Sequence, residues 1–310
     1  MSWTYDAAAG VYKDHAMSSK IRQAAVADSQ FMRFFSPESG YGKGRGASVT
    51  ITRFHNLPIA SRVSEQDRLP TGKPQVTTKQ LSVSEWGYKV QMTEFEENLT
   101  HFDLKNRTQR ALRDQMRLTL DVMCSTALKT TPMKMSVAGS TLTLNTAGSI
   151  GTSSTNMTVD FLGEIFDIMY GDYKVPAWKN GRYVGIISPK VARGLKNDGD
   201  FQTWWSRNSG GLSEIQKGNN MLPDIQGFDL YVTNNYDALD NTIGSATTGE
   251  AIFFGEDAGF LATVQEPELR AGPKEDLGRF SDVGWVGTIE AGLVWDIASQ
   301  ARVYHWASTG

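Results

Sequence analysis

The feature that most constrains this chain is a long connection that cannot build a core of its own. Two segments of alternating apolar and polar residues, Ser48 to Phe54 and Val76 to Thr93, read as strands. Between them lie roughly twenty mostly polar residues, including Pro58, Pro70 and Pro74 and the charged Arg62, Glu65, Asp67, Arg68 and Lys73. Compact domains seldom carry structureless connections longer than about 12–15 residues unless these serve a function. A two-stranded hairpin alone in water is marginal. If this one is ordered, something else covers it, and a neighbouring copy of the same chain is the economical candidate.

The rest of the chain is ordinary enough to fold. With 310 residues, 40% hydrophobic and 21% charged, it has room for a sizeable core and no signature of disorder. A formal net charge of -3 gives no overall basic field, which argues against a protein that grips nucleic acid directly. The single cysteine, Cys124, cannot form an intramolecular disulfide and reads as an inert core thiol within a helix. No apolar run is long enough to span a bilayer, and MSWTYDAAAG lacks the basic start and apolar centre of a signal peptide. A soluble protein made in a cytoplasm is the expectation.

Ahead of the hairpin, Lys20 to Phe35 has an amphipathic pattern. The glycine run Gly40 to Gly46 leads into a strand and not a helix, so it reads as a joint and not as a phosphate-binding loop. From Asp103 to Lys129 the spacing predicts one long helix, with Leu112, Met116, Leu120, Met123 and Ala127 on its apolar face. Arg107, Arg110, Arg113 and Arg117 recur at helical spacing on the other side. They form either a solvated face or a ridge that meets acidic residues of a neighbour. Residues 133–157 read as short strands with loops. Beyond Val159 the pattern mixes types: a helix over Phe161 to Tyr170, a buried strand Tyr183 to Ile187, and a helix begun by Pro189. Strands follow at Phe228 to Thr233 and Ala251 to Phe254, then a closing antiparallel set at Trp285 to Ile289, Leu293 to Ile297 and Arg302 to Trp306. The fold class is α+β.

No catalytic pattern emerges. The histidines, His15, His55, His101 and His305, are scattered, and neither a nucleophile elbow nor a Walker sequence is present. Glu94, Glu96 and Glu97 cluster. Strand alternation would send Glu97 to the opposite face from the other two, a solvated strand end and not a catalytic pair. Trp204 and Trp205, with Phe201 nearby, read as packing or a subunit contact before a stacking platform.

This order of elements, with the phrase IISPKVARGL (Ile186 to Leu195) and the ending DLGRFSDVGWVGTIEAGLVWDIASQARVYHW (Asp276 to Trp306), resembles the major capsid protein of tailed bacteriophages, with the Hong Kong 97 type of fold. The resemblance spans nearly the whole chain. It implies an N-terminal arm (1–46), an extended β-hairpin loop (47–95), a peripheral domain with a spine helix (96–158), an axial domain (159–275) and C-terminal strands that return to the peripheral domain (276–310). It implies a structural protein without enzymatic activity or cofactor, which self-assembles through pentamers and hexamers into an icosahedral shell around double-stranded DNA. Assembly would take place in the host bacterial cytoplasm, and the DNA would be enclosed without sequence-specific binding.

Further implied partners are a separate scaffolding protein, a portal and decoration proteins; no membrane is involved. Gly42, Gly44, Gly46 and Gly87 are the expected hinges, and Arg62, Glu65, Asp67, Arg68, Arg110, Arg113 and Arg117 the expected inter-subunit contacts. Two rival readings are an encapsulin-like nanocompartment shell of the same fold and a two-domain hydrolytic enzyme using Glu94 to Glu97.

Overall fold

A computed structural model describes residues 26–38, 48–65, 68–69, 71–99, 104–151, 155–200, 221–240 and 249–307. Lys20 to Ala25, the Gly40 to Gly46 run, Asp67, His15, His101, Asp103, Phe201, Trp204 and Trp205 lie outside them.

The centre is a seven-stranded sheet. Numbered along the chain, its strands are β5 (Lys134–Ala138), β6 (Thr141–Asn145), β7 (Tyr183–Ile187), β8 (Met221–Ile225), β9 (Phe228–Val232), β10 (Ala251–Phe254) and β13 (Val303–Trp306). They lie in the order β6-β5-β13-β10-β7-β9-β8. The middle strands are apolar at almost every position because both their faces are covered. Tyr183, Ile187, Phe253, Tyr304 and Trp306 face one core, with helix α3 (Val159–Asp167) and helix α4 (Pro189–Asn197). Val184, Ile186, Ile252, Phe254 and Val303 face a second core. Helix α4 starts as its sequence dictates, with Pro189 in the first turn and Ser188 Oγ accepting from Val191 N.

The second core belongs to the long helix α2 (Leu104–Lys129). Leu120, Met123, Cys124 and Ala127 point into it, Leu112 is buried about two turns earlier against Trp285 and Val283, and Met116 is partly buried. Phe31, Phe34 and Phe35 of the N-terminal segment cap the same core. This segment is tied down by Asp121, a fully buried carboxylate on α2 that accepts from Phe31 N at 2.8 Å and from Asn235 Nδ2 at 3.0 Å. Burial pushes the Asp121 carboxyl up, against the pull of these donors. Cys124 is buried as expected, and burial lifts its thiol far above the ordinary range, so it is unreactive.

A four-stranded sheet extends from this centre. It runs β1 (Ser36–Glu38), β11 (Gly259–Ala271), β12 (Phe280–Leu293), β4 (Ser84–Thr93), with β1 parallel to β11 and the other pairs antiparallel. Helix α2 lies against it, fixed by Trp285 Nε1 donating to Gln115 Oε1 at 2.6 Å. Three expectations are corrected. The run Val76 to Thr93 is two strands and not one: β3 (Val76–Ser82) pairs with β2 (Ser48–Phe54), while β4 breaks away at Val83 and pairs with β12. Leu293 to Ile297 forms no separate strand. Finally, the closing strands divide between sheets, Trp285 to Ile289 falling inside β12 and Val303–Trp306 inside the seven-stranded sheet. The helical segment expected over Phe161 to Tyr170 is present, as α3 followed by a π-helical turn from Ile168 to Asp172.

A buried polar cluster joins the end of α2 to the central sheet. Glu250 takes a salt bridge from Lys129 Nζ at 2.6 Å and a hydrogen bond from His305 Nε2 at 3.2 Å, while Lys134 Nζ donates to His305 Nδ1 at 2.9 Å. An ammonium can only donate, so His305 is the neutral tautomer with its proton on Nε2. Burial opposes ionisation of Glu250, but the partners outweigh it and hold the carboxyl at about 2. Burial lowers His305, and it lowers Lys134 to about 8.

Glu250→Gln removes the counter-ion of the partly buried Lys129 and the nearest negative charge to the buried Lys134, and is expected to cost about 3 kcal/mol in urea unfolding. Unfolded histidine takes up its proton near 6.5 and native His305 at lower pH, so its contribution is complete above that value and declines as pH falls below it. The expected result is a drop in melting temperature between pH 7.5 and 5.5 that is smaller in His305→Gln.

Candidate functional site: an extended hairpin and its anchor

In the β2–β3 hairpin, alternation decides which side chains reach the body of the protein. Val49, Ile51 and Arg53 on β2 face inward, opposite Leu81, Lys79 and Thr77 on β3. Val49, Ile51 and Leu81 are apolar and pack with Phe260, Ala262, Val294 and Trp295. The outer positions are cationic and meet one carboxylate: Asp296 accepts from Arg53 Nη1 at 2.7 Å and from Lys79 Nζ at 2.6 Å. Arg53 is 4% exposed, so its charge depends on this partner. Burial alone would raise the Asp296 carboxyl, but the hydrogen bonds from Lys79 and Arg53 hold it below the usual range. Trp295 completes the anchor, with the His55 ring edge-on at 5.9 Å and the Arg302 guanidinium 5.1 Å from its ring centre. His55 Nε2 lies 2.9 Å from Thr77 Oγ1, closing the last turn of the ladder.

Beyond His55 the support ends. Leu57 is 63% exposed, Leu69 76% and Ile59 96%. Arg62, Glu65 and Arg68 stand exposed among them. Arg110 and Arg113 are exposed along α2, and Arg117 also reaches Ser29 Oγ at 3.4 Å. Among the described residues no ion pair within the chain engages any of these six. The structure does not bring the two groups together within one copy. Gly87 sits inside continuous strand β4 opposite Val286, where a Cβ would come 2.7 Å from the Trp285 carbonyl oxygen. Close backbone approach explains glycine there without invoking bending.

The carboxylate cluster is not a strand end. Glu94 to Glu97 open a short helix, α1 (Glu94–Leu99), and Glu96 is consumed in a capping box: Glu96 N donates to Thr93 Oγ1 at 3.1 Å and Thr93 N to Glu96 Oε2 at 3.2 Å. Glu97 faces Lys105 at 3.7 Å. The T-x-x-E spacing of Thr93 and Glu96 carried that signal in the sequence. Among the described residues no three His, Cys, Asp or Glu side chains are grouped to hold a metal ion, and no helix is long and apolar enough to cross a membrane.

A sheet buried on both faces, a spine helix, a second sheet at its side and a projecting hairpin define the bacteriophage major-capsid fold. The chain matches the capsid asymmetric unit of cyanophage Pam1 with a TM-score of 0.74 over 98% of both chains at 16% identity. It matches the acid-stable capsid of Helicobacter pylori bacteriophage KHP30 (TM-score 0.69, 12% identity, 97% of each chain). Mycobacterium phage Che8 follows at 0.66 and 12% identity, over 95% of this chain and 97% of that one. No protein-family profile and no curated protein sequence matches. The fold expected from the order of elements is therefore the fold observed, at identities low enough that it is shape and not sequence that is shared.

Removing the shared carboxylate should release the hairpin before anything else unfolds. Asp296→Ala strands the buried Arg53 and is expected to destabilise β2–β3 by about 2–3 kcal/mol, read as faster amide exchange over residues 48–54 and 76–82. Because the Asp296 carboxyl is held low, its contribution is present above about pH 4 and is lost as pH falls further. The same amides should lose protection below about pH 4 in the native protein.

Proposed function

We propose that the chain is the major capsid protein of a tailed bacteriophage, building the icosahedral shell that encloses packaged double-stranded DNA. The observation that carries this reading is the projecting hairpin on a capsid fold matched over nearly its full length. Three large apolar side chains near its tip are bare in the single copy, and a shell supplies the neighbour that covers them. A head-to-tail contact of this kind closes into rings when its rotation closes, giving pentamers and hexamers from one chain.

In this reading residues 1–46 are the arm and the β2–β3 hairpin the extended loop; α2 with the four-stranded sheet forms the peripheral domain, and the seven-stranded sheet, which takes in β5, β6 and β13 as well as β7 to β10, the axial domain. The protein has no catalytic role. It assembles in the bacterial cytoplasm with a separate scaffolding protein, joins a portal and decoration proteins, and ends in the virion. The acidic balance suits a container that must release its DNA.

Negative-stain electron microscopy of the purified chain, alone and co-expressed with a scaffolding protein, tests the reading. Closed shells or ring-shaped capsomers are expected. Shells filled with protein cargo in place of DNA would transfer the chain to the nanocompartments, and a persistent monomer under every condition would remove both.

A further inference from the structure

The root of the hairpin carries more hydrogen-bond donors than acceptors. Beside it lies a cavity of about 290 Å³, lined by Phe54 and Asn56 of the hairpin and, from the body, by residues 173–176, Trp295 and residues 300–302. Two cations line it, Lys174 and Arg302, and no carboxylate does. Lys174 is exposed, and among the described residues no ion pair engages it. Arg302 donates to the Glu256 carbonyl at 3.0 Å and reaches the Asp257 carboxylate only at 3.6 Å. Burial pulls its guanidinium down from the usual value, the sign of a cation short of counter-charge. The acceptors of the wall are engaged elsewhere: the carbonyls of Val175, Pro176 and Arg302 already accept from the Tyr183 hydroxyl and from the Glu256 and Gly255 amides. In the same root, Arg53 Nε and Trp295 Nε1 are buried donors without an acceptor among the described residues.

We propose that this cavity binds a compact oxyanion of the phosphate or carboxylate class, held between Lys174 and Arg302 with the Asn56 and Gln300 amides turned to donate. Charge-assisted hydrogen bonds of this kind are the strong ones, and the unmatched donors of the root add to the positive potential. At about 30 Å³ for each water, the volume holds such an anion with part of its hydration shell. Because Phe54 and Asn56 belong to the hairpin and the other walls to the body, the bound anion ties the two together beyond the reach of Asp296. One copy builds the whole site, so the inference stands apart from the shell reading.

Orthophosphate titrated into the purified protein near neutral pH, at constant ionic strength against chloride, tests it by calorimetry. A single site of millimolar affinity is expected. Lys174→Asn keeps a residue that tolerates the left-handed backbone found at this position (φ 51) and should weaken binding about tenfold. Lys179→Asn removes the same charge outside the cavity and should leave binding unchanged. At about twice its dissociation constant, phosphate should slow amide exchange over residues 48–54 and 76–82 about threefold in the native chain, and not in Lys174→Asn.

The source of the anion is read from assembly. Phosphate that takes the place of a neighbour's carboxylate raises the protein concentration needed for shells to form, whereas a site for the free ion leaves it unchanged or lowers it. Absence of binding by both phosphate and acetate, or equal binding by Lys174→Asn and Lys179→Asn, overturns the inference and leaves the shell reading untouched.

Discussion

Everything in this structure depends on covering both faces of one sheet. Strands β13, β10 and β7 are buried throughout, so each face needs its own cover. Helices α3 and α4 supply one. The other is assembled from distant pieces: α2, the N-terminal phenylalanines, and the first residues of β11 with the last of β12. Because β11 and β12 each run through that cover and continue beyond it, the four-stranded sheet is an outgrowth of the core. Its outer strand β4 leads back to the hairpin. The reach of the molecule therefore grows out of a rigid centre, and the projecting parts inherit their direction from it.

The hairpin itself is held by very little. Four apolar side chains at its base and one carboxylate shared by Arg53 and Lys79 fix where it leaves the body, and among the described residues nothing comparable fixes its tip. The root is fixed, and the described residues beyond it are mostly exposed.

Much of this was legible in the sequence because buried elements carry their period openly. Strands Tyr183–Ile187 and Ala251–Phe254 were read residue for residue, and the α2 stripe from Leu112 to Ala127 fell on the core as expected. The long strand β11 was missed. Register shifts between Thr263 and Gln265 and between Gln265 and Glu268 break its alternation, and Pro267 with its flanking glutamates reads as a loop. Strands β1 and β8 were hidden by Pro37 and Pro223, which sit on sheet edges where proline is tolerated. The division at Val83 could not be seen, because alternation continues across it and only the partner changes. The hairpin was legible from what it lacked. The cavity at its root was not, since it gathers Asn56, Lys174 and Arg302 from segments far apart in the chain.

The position of β13 carries a consequence for how the protein is made. This strand lies between β5 and β10, near the middle of the sheet, yet among the described strands it is the last in chain order. Until residues 303–306 emerge, β6-β5 and β10-β7-β9-β8 are two unjoined halves, each with an open edge and an exposed apolar face. Completion of the core thus waits on residues 303–306. A chain cut short before residue 303 therefore cannot close its centre.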